Sequence, residues 1–284
     1  MFSPLWRPLA RRMFLGGAYN FHSSVRVTRH LPSRILFTSA VVIGVFTPIA
    51  YNAFVHLDTD RNLNESITLP TPDKQTRPDP DTGIEFPTLL TVPSKVRLPT
   101  FTLIGVGVRK VSFLRVKVYS IGFYADLSSP AISKMPSDLS PEDKIHYLVS
   151  NTACVLRIIP TRTTTHGHLR DGFLRALHAR IRQSNQDGKL SETEQLQIGA
   201  ALRKFGTLFP NTPLQKHSPL EILLTAPEVD PNEQRALVVR DLGAVQNNWL
   251  AREFFLAYFE GQGISPPLKE RVIQRLQTLG SLKA

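Results

Sequence analysis

The chain has 284 residues, 42% of them hydrophobic and 20% charged, with a formal net charge of +11. That length and apolar content support one large domain with extensions and exclude a wholly disordered chain. A single cysteine, Cys154, excludes an intrachain disulfide framework and a thiolate zinc cluster. The charge does not argue for a nucleic-acid partner. Met1 to Leu57 contains no Asp or Glu, while Arg7, Arg11, Arg12, Arg26, Arg29 and Arg34 supply six positive charges. The basic excess is therefore concentrated in what reads as an address label.

Residues 1–34 are rich in arginine, hydroxyl and apolar residues and free of acids, the composition of a mitochondrial presequence; a basic arm is the plainer reading. Residues 35–54, ILFTSAVVIGVFTPIAYNAF, are uncharged, and about 20 helical residues span a bilayer core. Pro48 is tolerated in a membrane span, so a single-pass transmembrane helix is expected here. Arginines precede it, and Asp58, Asp60 and Glu65 follow it. This asymmetry predicts an N-terminus in the matrix and a C-terminal domain facing the intermembrane space, anchored in the mitochondrial inner membrane. Residues 55–83 are polar, with four prolines, and read as a linker.

The folded domain is expected over 84–284. Strand-like runs come first: FPTLLTVPS, TFTLIGVGVRKVSF and VKVYSIGFYADL. A short helix opening on Ser140-Pro141-Glu142-Asp143 leads to another strand, ACVLRIIP. From His166 the period becomes helical, with Leu169, Phe173, Leu177 and Ile181 on one face. Ser191 and Glu194 have capping-box spacing before a second helix. Two strands, LEILLTA and ALVVRDL, precede the helices NNWLAREFFLAYFEG and ISPPLKERVIQRLQTLG. Strands, then helices, then a hairpin and helices predict an α+β fold: a largely antiparallel sheet with helices on one face.

Four segments carry a family resemblance: GVGVRKVSF with VYSIGFY, RIIPTR with HLRDGF, and NNWLAREFFLAYFEGQGISP. In this order and spacing, the chain resembles the chalcone-isomerase-like family over about residues 95–280, and most of all its fungal mitochondrial branch, the altered inheritance of mitochondria type. The resemblance implies an open-faced sandwich. It also implies a cleft in which an arginine stabilises phenolate and enolate charge during intramolecular ring closure. Arg109 lies at the family's arginine position. The family's threonine, which precedes the I-G-x-Y of the next strand, falls on Tyr119, its tyrosine near His168 and its asparagine near Arg175.

The arginine is kept and its polar partners are changed. Catalysis needs the whole constellation in place, so a pocket without chalcone isomerase activity is expected. It would hold a small, planar, hydrophobic, anionic ligand. The fungal branch implies heme as that cofactor, with Arg109, Tyr119, His168 and Arg175 as binding residues and His168 as the iron-ligand candidate. An isomerase or intramolecular lyase acting on an enone, with Arg109 and Tyr119 as catalytic residues, is the alternative. A fatty-acid-binding or structural inner-membrane factor is another.

Plainer readings compete at each position. Arg109 could pair with Asp126 or Asp241 inside the domain. Gly105 and Gly107 read as close-packing or bulge positions rather than a phosphate loop. His166, His168 and His178 could be exposed or capping. Cys154 and Tyr119 are conceivable iron ligands, but Cys154 reads as a small core residue. Arg170, Arg175, Arg180 and Arg182 suggest a solvated helix face. Phe254, Phe255, Tyr258 and Phe259 suggest core packed on the sheet.

Overall fold

The computed structural model describes residues 75–111, 114–227, 230 and 233–281. The expected presequence, transmembrane helix and most of the linker lie outside them. Among the described residues, no helix is long and apolar enough to cross a membrane. In chain order the elements are β1 (Thr76–Pro78), β2 (Glu85–Pro87), β3 (Leu89–Leu90), β4 (Phe101–Val111), β5 (Val116–Ala125), α1 (Pro130–Ser133), α2 (Pro141–Asn151) and β6 (Cys154–Pro160). They continue with β7 (Thr164–Thr165), α3 (His166–Gln186), α4 (Glu192–Thr207), β8 (Pro213–Leu214) and β9 (Leu220–Leu224). The chain then forms β10 (Ala236–Val239), β11 (Gly243–Gln246), α5 (Asn248–Leu256) and α6 (Pro266–Ser281).

Seven strands form one sheet in the order β11-β10-β9-β6-β5-β4-β3. Every pairing in it is antiparallel, in line with the expected α+β class. The helix starts follow the expected local chemistry. Ser140 accepts from the Asp143 N–H at the start of α2, and Ser191 and Glu194 form a reciprocal capping box on α4. Leu169, Phe173 and Leu177 of α3, Phe205 of α4 and Phe254 and Phe255 of α5 share one core with the sheet.

The glycines of β4 set how that core closes. Gly105, Gly107 and Arg109 alternate with Val106 and Val108, so all three face the helices. A Cβ at Gly107 would lie 2.4 Å from the backbone nitrogen of Leu268, and one at Gly105 would lie 2.7 Å from Val272 Cγ2. Helix α6 therefore rests directly on the strand backbone. A register shift between Leu103 and Gly105 adds a bulge, so both sequence readings of these glycines apply.

The opposite face differs from an open-faced sandwich. Phe86, Leu90 and Val92 cover Leu103, Val106, Tyr124, Val155 and Ile159 there, forming a second core. The expected linker also ends earlier than its composition suggests. β1 pairs with β2, and Asp79 between them is fully buried. Its carboxylate accepts from Ser120 Oγ (2.8 Å) and Thr82 Oγ1 (2.9 Å) and pairs with Arg271 (3.2 Å). A polar stretch reads as linker unless the carboxylate's distant partners are known, and Ser120 and Arg271 lie on β5 and α6.

The arginine-rich face of α3 is only partly solvated. Arg180 Nε donates to Glu253 (2.8 Å), and the same guanidinium pairs with Glu260, fastening α3 to the α5 region. Both cores are built from residues between Ile84 and Leu276, which fall within one compact unit. A 65–284 fragment is thus the natural unit for measurement. Gly107→Ala in this fragment should cost about 1–3 kcal/mol or more, because a filled interface is overpacked. Thermal unfolding should show it as a fall of roughly 2–4 °C per kcal/mol. Gly199→Ala on α4 meets only Arg203 Nη1, at 3.6 Å, and should leave stability unchanged or raised. Equal effects at both glycines would contradict the close-approach account.

Candidate functional site

Beyond the N-terminus of α6, β4 is no longer covered by that helix. Ser265, just before α6, donates to the Val108 carbonyl (2.8 Å), which places the helix start beside Arg109. The arginine points instead toward α3. It pairs directly across the ladder with Tyr119, and the register shifts immediately afterwards, between Arg109 and Lys110. This direct cross-strand pairing sets the two side chains side by side.

Arg109, Tyr119, His168 and Arg175 are brought together around one cleft of about 140 Å³, with Leu169 and Gly172 of α3 and Val111 and Val118 of the hairpin. Arg109 is half-buried, Tyr119 fully buried, and His168 and Arg175 exposed. Arg109 Nη1 donates to Tyr119 Oη (3.2 Å), and its guanidinium carbon lies 5.6 Å from the Tyr119 ring centroid. Tyr119 Oη in turn shares a hydrogen bond with Tyr258 Oη (2.9 Å). Burial pushes the Tyr258 phenol well above its ordinary range, so it stays protonated.

Gly172 completes the arrangement. A Cβ there would lie 3.3 Å from Arg109 Nη1 and 3.8 Å from Arg175 Nη2, so both guanidiniums converge on the helix where a side chain is missing. Neither makes a salt bridge to a carboxylate among the described residues. The plainer reading of Arg109 is corrected here: Asp126 is engaged by Ser128, and Asp241 by Arg240. Two guanidiniums without a counter-charge at a cleft mouth present the charge and donors that an anion could meet.

The other candidates separate from this cleft. His166 Nδ1 contacts the Thr212 carbonyl at 3.1 Å and ties down a loop, and His178 is exposed farther along α3. Cys154 is fully buried, and burial pushes its thiol up to about 12, so it serves as core. Phe254, Phe255 and Phe259 are core as expected, but Tyr258 from the same run also reaches the site. The hydroxyl within an otherwise apolar aromatic run was the available signal for Tyr258. For Gly172 it was a glycine inside a regular helical pattern.

Roomier hollows lie elsewhere; one of about 300 Å³ is lined by Gln262 and Ile273, and two more are larger still. One, of about 420 Å³, includes Arg235, Trp249 and Arg252. Arg235 is already committed to the carbonyls of Val149 (2.7 Å), Thr152 (2.8 Å) and Thr225 (2.8 Å), and burial pulls it down to about 10. The other, of about 510 Å³, lies beside the β4–β5 hairpin. Neither contains the Arg109–Tyr119–Tyr258 chain.

Tyr119→Phe would remove the acceptor of Arg109 and leave the buried Tyr258 hydroxyl without this partner. The expected cost is about 1–3 kcal/mol by urea denaturation. The Tyr119→Phe/Tyr258→Phe pair should cost less than the sum of the single changes. Strict additivity would contradict the coupling.

Fungal relatives share most of the chain. A Kluyveromyces lactis protein named altered inheritance of mitochondria protein 18, mitochondrial, is 24% identical over 277 residues, 84% of this chain and 82% of its own. The Eremothecium gossypii protein of the same name is 24% identical over 301 aligned positions, covering 95% and 93% of the two chains. Among solved structures, an Arabidopsis thaliana fatty-acid binding protein aligns with a TM-score of 0.55 at 17% identity. That alignment covers 73% of this chain and 100% of that one, a likeness of fold. The family model described as "Chalcone isomerase like" matches residues 99–147 and 133–273, more than half of the sequence. The chain belongs to the chalcone-isomerase-like family.

Proposed function

We propose that this chain is a mitochondrial ligand-binding member of its family, without chalcone isomerase activity, whose Arg109 cleft anchors the carboxylate edge of a planar hydrophobic ligand. The observation that carries this reading is the convergence of Arg109 and Arg175 over Gly172 without a carboxylate partner among the described residues. A half-buried cation left without an anion is costly, and a ligand carboxylate supplies one. The mitochondrial assignment is supported by the names of the fungal relatives and by the acid-free, arginine-rich N-terminus. Residues 35–54 support a single-pass inner-membrane anchor with the domain in the intermembrane space.

The ring-closing chemistry of the family is disfavoured by what surrounds the arginine. Tyr119 and Tyr258 are fully buried and hydrogen-bond each other. The cleft volume is about 140 Å³, well below the roughly 300–1,000 Å³ usual for enclosing a drug-sized ligand. An intramolecular lyase using Arg109 and Tyr119 remains the alternative to binding alone, and turnover of an enone abolished by Arg109→Ala would favour it.

Heme matches the donor set. His168 is exposed at the mouth, Arg109 and Arg175 suit two propionates, and Val111, Val118 and Leu169 give an apolar wall. The enclosed volume accepts the carboxylate edge of such a ligand and not the whole ring. When bound, heme would bring a redox-active iron to the mouth of the cleft, with His168 as the protein nitrogen ligand. A fatty acid satisfies the same arginine, and the structural relative is described as a fatty-acid binding protein. The interior disfavours a buried acyl chain: Phe173 packs on Phe209 (5.9 Å) and Phe254 (5.2 Å), and Phe205 packs on Phe254 (5.7 Å).

Hemin titrated into the 65–284 fragment should give a saturable Soret shift. Arg109→Ala should weaken its binding roughly 10- to 100-fold, from about 1.5–3 kcal/mol for a hydrogen bond to a charged group. His168→Ala should alter the Soret position more than the affinity. No saturable change with hemin, together with Arg109-dependent displacement of a fluorescent fatty acid, would replace heme by an acyl ligand. No Arg109-dependent binding of either would reject the anchoring role.

A further inference from the structure

The 140 Å³ cleft opens at one end of the sheet, and that end has its own composition. Three connections meet there: the β4–β5 hairpin, the β6–β7 loop and the β8–β9 loop. Thr161 of the second donates to the Lys117 carbonyl of the first (2.8 Å), and His217 of the third donates its N–H to the Pro160 carbonyl (3.0 Å). The three therefore form one continuous surface. Residues 111–118, 160–168 and 210–219 contain no Asp or Glu. Arg115, Lys117, Arg162 and Lys216 are all exposed on this surface.

Apolar side chains stand among these cations. Leu114 is 69% exposed and Val111 37% exposed, and Arg115 takes the left-handed conformation (φ 50°) at the turn. Two exposed aliphatic side chains thus stand within an acid-free stretch of surface that carries four exposed cations, of which Lys117 also donates to the Asp81 carbonyl. Two acids, Asp81 and Glu270, line a hollow together with Arg115; Asp81 is already engaged by Lys110 (2.8 Å) and Arg271 (3.3 Å), and the Lys110 hydrogen bond holds its carboxyl below its ordinary value. Arg115 and Arg162 make no salt bridge among the described residues.

We propose that this end of the sheet docks the domain on an anionic lipid surface, with Leu114 and Val111 entering the interface and Arg115, Lys117, Arg162 and Lys216 meeting phosphate headgroups. The chemistry is that of peripheral binding in general: a small apolar insertion reinforced by several surface cations. Nucleic acid shares the phosphate chemistry, but it offers no environment for an exposed leucine. Docking in this orientation turns the mouth of the Arg109 cleft toward the membrane, where an amphiphilic ligand would be dissolved. The proposal stands apart from the identity of that ligand.

Flotation of the 65–284 fragment with phosphatidylcholine vesicles, with and without an anionic phospholipid, tests it. Binding should require the anionic lipid and weaken as salt is raised. Arg115→Glu and Arg162→Glu should each reduce it by about 5-fold or more, and Leu114→Asp should reduce it at constant charge on the other positions. All three positions are exposed, so circular dichroism and thermal unfolding should match the unaltered fragment. Absence of binding, equal binding to neutral vesicles, or variants that float like the parent would each overturn the proposal. So would retention on an RNA homopolymer without vesicle binding, which would assign the surface to nucleic acid.

Discussion

Helix α6 can lie on β4 only because that strand has no side chains at positions 105 and 107. This close approach has two consequences. It seals the core between sheet and helices, and it makes the next residue of the same face, Arg109, the first side chain free to project past the start of α6. A cation in the middle of a hydrophobic strand is then no contradiction. It belongs to the rim of the core, where α6 has ended and α3 has not fully closed over the strand. Gly172 repeats the device on α3, where a missing side chain admits the guanidinium. One steric rule, backbone where a side chain would clash, thus places the charge and opens the space it faces.

What lies around Arg109 explains why the family fold need not keep the family reaction. Tyr119 and Tyr258 turn the inner wall into a closed phenol pair, and the aromatic contacts of α3, α4 and α5 fill the interior behind it. The cleft is left with two outward-facing guanidiniums, an apolar rim and an exposed imidazole. Such a site can hold the charged edge of an amphiphile. It does not hold a reactant in the dry, fully surrounded position that large rate enhancements need. In the proposed reading, binding would rest on the preserved cation, and ring closure would be lost through the altered residues beside it.

The parts of this account that were legible in the sequence are those written in local pattern. The G-x-G-x-R run placed the strand, its packing glycines and the arginine, and the four-residue apolar period placed α3. Ser140, Ser191 and Glu194 marked helix starts through capping chemistry within three residues. The parts that were not legible depend on partners far along the chain. Tyr258 meets Tyr119 across 139 positions, and Arg180 meets Glu253 across 73. The polar run around Asp79 read as a linker because its acceptors are satisfied by Ser120 and Arg271, neither of which its own composition reveals. The size of the cleft was hidden for the same reason, since its walls come from the β4–β5 hairpin and from α3, about 50 residues apart in sequence.

The central claim is that Arg109 is an anion anchor and not a structural ion-pair member. A crystal structure of the 65–284 fragment with a planar, carboxylate-bearing ligand tests it most directly. The account predicts a ligand carboxylate within hydrogen-bond distance of the Arg109 guanidinium, with Arg175 flanking it and the ligand body at the mouth beside His168. A ligand bound elsewhere, with Arg109 still engaged only by Tyr119, would contradict it.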